Sequence, residues 1–100
     1  MTAYWTARGL LGLQQVHDFI AKDQPLNAQR FIDRLTRYVD EVADSPRFVG
    51  RAVPEYHRDD IRENFFEEAY RIIYRVRADR IDILTVRHGS RLLPARLRDL

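Results

Sequence analysis

Residues 70–90 read YRIIYRVRADRIDILTVRHGS. Two runs rich in β-branched and aromatic residues flank Ala78-Asp79, the pattern of two strands and a tight turn. With Ala78-Asp79 at the tip, one face of the hairpin holds Tyr70, Ile72, Tyr74 and Val76 opposite Arg87, Thr85, Ile83 and Ile81. The other holds Arg71, Ile73, Arg75 and Arg77 opposite Val86, Leu84, Asp82 and Arg80. The first set is mostly apolar and is expected to face a hydrophobic layer. The second mixes Ile73, Leu84 and Val86 with arginine, and Arg75 opposite Asp82 forms a cross-strand ion pair. A slip of one residue would exchange the two faces and bury charge.

The apolar face needs a cover, and the N-terminal half supplies it. Thr6 is a candidate N-cap, with Trp5 and Leu10 at the positions of a hydrophobic staple. Leu10, Leu13, Val16 and Ile20 then recur at helical spacing, so a first helix runs to about Ala21. Gly9 and Gly12 weaken it slightly. Pro25 suits the first position of a second helix, whose stripe is Ala28, Phe31, Ile32, Leu35, Tyr38, Val39 and Val42. Ser45-Pro46 ends it, because proline disfavours helix in the residue before it. Tyr4-Trp5 fits an edge strand. Residues 47–58 read as a loop with a short strand, and residues 61–66 as a strand closed by a turn at Glu67-Glu68-Ala69. Residues 91–100 form a short tail. Helices first and strands afterwards give an α+β domain: an N-terminal antiparallel helical hairpin packed on a small, mainly antiparallel sheet.

Composition bounds the function. One hundred residues, 45% hydrophobic and 32% charged, are expected to make a single globular domain over residues 1–100. No cysteine is present, which excludes disulfides and thiolate metal sites. His17 and His57 are scattered and Asp59-Asp60 brings no further ligand, so no metal and no cofactor are expected. Neither a signal peptide nor a bilayer-length apolar run is evident, so a cytoplasmic protein with no membrane partner is expected. Net charge is only +2, but it is segregated. Residues 1–68 carry 9 basic and 12 acidic side chains; residues 69–100 carry 8 arginines and 3 aspartates. A small domain divided in this way commonly meets an anionic partner through its basic side. The alternative is a solvated, arginine-rich face in which Arg71 and Arg75 pair with acids such as Glu63 and Asp82.

Trp5 before the first helix, the phrase AQRFIDRLTRYVDEVADSPRFVGR, REN before a strand, YRIIYRV and ILTVRHGSR together resemble the RelE/ParE superfamily of bacterial type II toxins, also called plasmid stabilisation proteins. The ordered set spans nearly the whole chain and is most similar to the ParE-like branch. That resemblance implies a toxin that inhibits growth by binding DNA gyrase, with no enzymatic activity of its own. It also implies neutralisation by a cognate antitoxin in a hetero-oligomer, with operator DNA contacted only through the antitoxin. The alternative within the superfamily is a RelE-like, ribosome-dependent mRNA endoribonuclease, for which Arg71, His88 and Arg91 are the candidates for phosphate binding and proton transfer. Against it, no tyrosine follows Tyr74, and the strand at 61–66 lacks the lysine pair of many such enzymes. A further alternative is a non-toxic relative acting only through its antitoxin. The expected binding surface, for target or antitoxin, is Arg62, Arg71, Ile73, Leu84, Val86, Arg87, His88 and Arg91.

Overall fold

The structure, a computed structural model, describes residues 1–45 and 50–100. Its elements are β1 (Thr2–Trp5), α1 (Ala7–Ala21), α2 (Pro25–Asp44), β2 (Arg51–Ala52), β3 (Ile61–Phe66), β4 (Tyr70–Val76), β5 (Arg80–His88) and a 3-10 turn at Leu97–Asp99. The α+β architecture is as expected. The strands form one sheet in the order β1-β5-β4-β3-β2, antiparallel throughout except where β1 runs parallel to β5. Pro46 and residues 47–49, to which the end of the second helix and the start of a loop were assigned, lie outside the described residues.

Local chemistry places the helices. The Thr6 hydroxyl accepts the Gly9 amide at 3.0 Å and donates to the Ile83 carbonyl at 2.7 Å, so one side chain caps α1 and ties it to β5. Pro25 opens α2. Along the α2 stripe Ala28 is buried, and Phe31, Leu35, Val39 and Val42 are buried in one cluster with Ile72, Tyr74, Ile81, Ile83 and Val86 of the sheet. Phe31 meets Phe66 and Tyr70 with ring centroids 5.5 and 4.9 Å apart, and Tyr38 meets Phe66 at 5.2 Å.

The face of α1 differs from expectation. Leu10 is half exposed and staples nothing into the core. Val16 is buried as expected, and Gly9 and Gly12 are buried beside it. A methyl group at Gly12 would sit 2.8 Å from the Val86 carbonyl oxygen, and one at Gly9 would run into the Ile83 carbonyl. The glycines therefore let α1 lie directly on the β5 backbone; Leu13, Val16 and Ile20 pack on the core as expected, while Leu10 and Leu11 turn outward.

The hairpin register is also corrected, over half its length. Near the tip Tyr74 opposes Ile83, Arg75 opposes Asp82 and Val76 opposes Ile81, as read from the sequence. Beyond Ile73/Tyr74 the ladder shifts, so that Ile73 opposes Thr85, Ile72 opposes Val86 and Arg71 opposes Arg87. Leu84 is the extra residue of a β-bulge. The shift carries Val86 from the outer face to the helix side, where it is 2% exposed. The shift thus sets apolar Val86 in place of Thr85 opposite Ile72, which favours burial by about 25 cal/mol per Å² of apolar surface.

Candidate functional site

The outer sheet face is not an open basic platform. A second apolar cluster covers much of it: Val53, Ile61, Ile73 and Leu100 are buried, with Tyr56, Leu84, Leu93 and Leu97 packed around them. The tail thus folds back over the sheet. Ile73 and Leu84, expected to be free for a partner, are already occupied from within the chain, and Val86 lies on the other side.

Most outer-face arginines are also neutralised internally. Arg71 is buried, and its terminal nitrogens reach Glu55 at 3.1 and 3.2 Å and Glu63 at 2.5 Å. Burial disfavours the Arg71 cation, but Glu55 and Glu63 outweigh this and raise its pKa. In return the Arg71 hydrogen bonds hold the Glu55 carboxyl below its ordinary value. Arg51 donates to Glu63 from the other side at 3.0 Å and stacks over Phe65. Arg77 and Arg80 share Asp82, and Arg80 also lies over the Tyr4 ring at 4.6 Å. Arg75, expected to pair with Asp82, is 3.8 Å from Asp60 instead, and Arg58 reaches Asp60 at 2.7 Å. Arg62 faces away from Arg71, opposite Tyr74 in the register, and donates to the Asp59 carbonyl at 2.9 Å.

Positive charge without carboxylate partners collects elsewhere, at the end of β5. Arg87 is half-buried; among the described residues its hydrogen bond goes to the Leu92 carbonyl at 3.1 Å, and its buried Nε, like those of Arg71 and Arg75, finds no hydrogen-bond partner. Burial, followed by the repulsion of Arg91, lowers its pKa. His88 follows, with Nδ1 accepting the Ser90 amide at 3.1 Å and lying 2.7 Å from the Ser90 hydroxyl. The backbone donor leaves the ring proton on Nε2. The edge-on contact of the His88 and Tyr70 rings, 5.3 Å between centroids, fixes the ring plane.

Arg87, His88 and Arg91 form one wall of a cleft of about 540 Å³ between β5 and α1. Gln15 and Phe19 of α1 and Lys22 just beyond its end form the other, over a floor that includes Val16, Tyr70 and Val86. Four of the expected site residues, Val86, Arg87, His88 and Arg91, thus line it, whereas Arg71 is absent from the lining and Arg62 lies apart. Sequence reasoning missed the α1 wall. Its signal was Phe19, an aromatic off the helix's apolar stripe that is 67% exposed, one turn before the chain's single lysine.

Residues 4–93 match the family described as ParE toxin of type II toxin-antitoxin system, parDE. The chain belongs to the ParE toxin family. Among solved structures, a chain of the chromosomal ParDE TA system from P. aeruginosa superimposes on this ParE toxin with a TM-score of 0.74 and 18% identity. The match covers 88% of this toxin and 95% of that chain, and it shows that the two share a fold. No curated protein matches the toxin's sequence significantly. Among the described residues, no helix of the toxin is long and apolar enough to cross a membrane.

Proposed function

We propose that this ParE toxin acts as a single domain over residues 1–100, in the cytoplasm, and halts growth by binding DNA gyrase rather than by breaking bonds itself. A cognate antitoxin neutralises it within a hetero-oligomer, and operator DNA is reached only through that antitoxin. The family match over residues 4–93 supports the toxin role, and the fold shared with a chain of a ParDE system supports an antitoxin partner.

The observation that carries the choice of binding over RNA cleavage is the state of Arg71. Stabilising a cleaving phosphate requires a guanidinium free to meet developing negative charge. Here both terminal nitrogens of Arg71 are committed to Glu55 and Glu63. The other candidates of the ribonuclease pattern, His88 and Arg91, line a cleft that Arg71 does not enter.

The test pairs two assays. Purified toxin is expected to inhibit supercoiling by purified gyrase or to trap double-strand breaks. Primer extension on cellular mRNA after induction is expected to show no new cuts. New codon-linked cuts with gyrase unaffected would establish the endoribonuclease instead.

A further inference from the structure

We propose that the cleft between the first turn of α1, the tail and the outer face of β4 binds a phosphate monoester of nucleotide size. Its dianion meets Arg58, Arg75 and Arg98, and its planar body lies on Leu84, Leu97 and Leu100.

The cleft encloses about 430 Å³, within the range of sites that hold small ligands. Arg8, Arg58, Arg75 and Arg98 line it, and no acidic side chain does so among the described residues. The cleft between α1 and β5 differs in this respect, since Asp18 stands there among the cations. Arg8 is committed to the tail, donating to the main-chain oxygens of Arg98 and Leu100 at 2.6 and 2.5 Å. The other three answer to one carboxylate. Arg58 binds Asp60 through two nitrogens at 2.9 and 2.7 Å, whereas Arg75 Nε is 3.8 Å from the same group, too far for a hydrogen bond. That Nε is buried and has no hydrogen-bond partner. Asp82, across the ladder from Arg75, is held by Arg77 and Arg80. The Arg98 side chain makes no hydrogen bond or ion pair among the described residues. Three guanidiniums against one carboxylate leave an excess of two positive charges, even with Arg8 set aside. Thr6, Ala7 and Arg8 also bring the positive end of α1 to the cleft, with no acidic side chain in its first turn.

The excess charge and the apolar floor together select the ligand. A phosphate monoester carries about −1.5 to −2 charges near neutral pH and three acceptor oxygens, enough to engage all three arginines. A single carboxylate brings one charge and two oxygens. Inorganic phosphate matches the charge but leaves Leu84, Leu97 and Leu100 unused. A planar heterocycle joined to the phosphate covers those leucines and offers a face on which a guanidinium stacks. Arg98 belongs to the tail, Arg75 to β4 and Arg58 to the loop before β3, so the bound phosphate ties the tail down onto the sheet.

The test titrates the full-length, isotopically labelled toxin with adenosine monophosphate, followed by amide NMR. Saturable shifts are expected at Ala7, Leu84, Leu97 and Arg98. Adenosine, inorganic phosphate and cyclic adenosine monophosphate, a singly charged diester, should each bind about tenfold more weakly. Arg98→Gln should weaken binding by about tenfold as well, and it removes no contact on which folding depends. The thermal midpoint should rise with nucleotide concentration, and rise less in Arg98→Gln. The proposal is overturned by an absence of saturable shifts at these amides, or by binding unchanged in Arg98→Gln. It is equally overturned by adenosine, inorganic phosphate or the cyclic diester binding as tightly as the monophosphate. A short oligonucleotide saturating the same amides at lower concentration than the monophosphate overturns it in favour of a nucleic-acid strand. Gyrase inhibition is read separately, and none of these outcomes alters it.

Discussion

Replacing Arg71 by methionine separates a structural arginine from one that meets a target. Glu63 has a fully buried side chain held by Arg71 at 2.5 Å and by Arg51 at 3.0 Å. Breaking a buried ion pair by removing one partner costs about 3–5 kcal/mol, because the remaining charge is stranded. Arg51 is 62% exposed and stays in place, so the cost should fall at the lower end, about 3 kcal/mol. Glu55 adds little, being substantially exposed and able to return to water. Removing both charges with Arg71→Met and Glu63→Leu should recover most of the loss, since an apolar pair can fill the same space beside Ile61 and Ile73. Urea denaturation gives these differences, and growth after induction is measured in parallel. If Arg71 is structural, the single variant loses toxicity together with stability, and the double variant regains both. A single variant losing less than about 1 kcal/mol would refute the energetic argument. A stable double variant that remains harmless would show that Arg71 itself meets the target.

Gly12→Ala should destabilise the protein by about 1–2 kcal/mol, because overpacking against the Val86 backbone exceeds the roughly 1 kcal/mol gained in helix propensity; a stabilised variant in urea titration would mean that α1 does not rest on β5. Glu67 and Glu68 sit at φ 50 and 61 in the turn between β3 and β4, so Glu68→Gly should raise stability by about 1 kcal/mol, read as a shift in the urea midpoint. Acid should weaken the fold through Asp82 and Glu55. At Asp82 burial raises the pKa, but Arg77 and Arg80 outweigh it and the net value falls below the ordinary 3.8; Glu55 falls below the ordinary 4.5 through Arg71. Carboxyls depressed in the folded state contribute fully above those ordinary values, and the contribution is lost as pH falls through the lower folded ones. Stability measured against pH should therefore be flat above about pH 5 and decline below it, less steeply in Asp82→Asn.

The β4–β5 tip, the α2 stripe and the Thr6 cap were legible because each depends on neighbours in sequence. Arg71 pairing with Glu63 was among the sequence readings and proved the actual arrangement, although the third member, Glu55, lies on a loop where no period announces it. Arg87, His88 and Arg91 could be grouped because they share one strand end. Phe19 and Lys22 could not join them, since nothing in the helical period says which strand end the exposed side of α1 approaches.

Determined by the sequence alone were the elements, their order, the helix-facing set Ile72, Tyr74, Ile81 and Ile83, and the excess of arginine in the last third. Periodicity and turn chemistry are local, so the chain states them outright. Which arginines remain available was settled only in three dimensions, through the bulge at Leu84, the fold-back of the tail and the approach of α1 along its glycines. A charge is satisfied or left wanting according to what surrounds it in space, and residues such as Arg71 and Arg87, alike in the sequence and adjacent in the sheet, end with opposite fates.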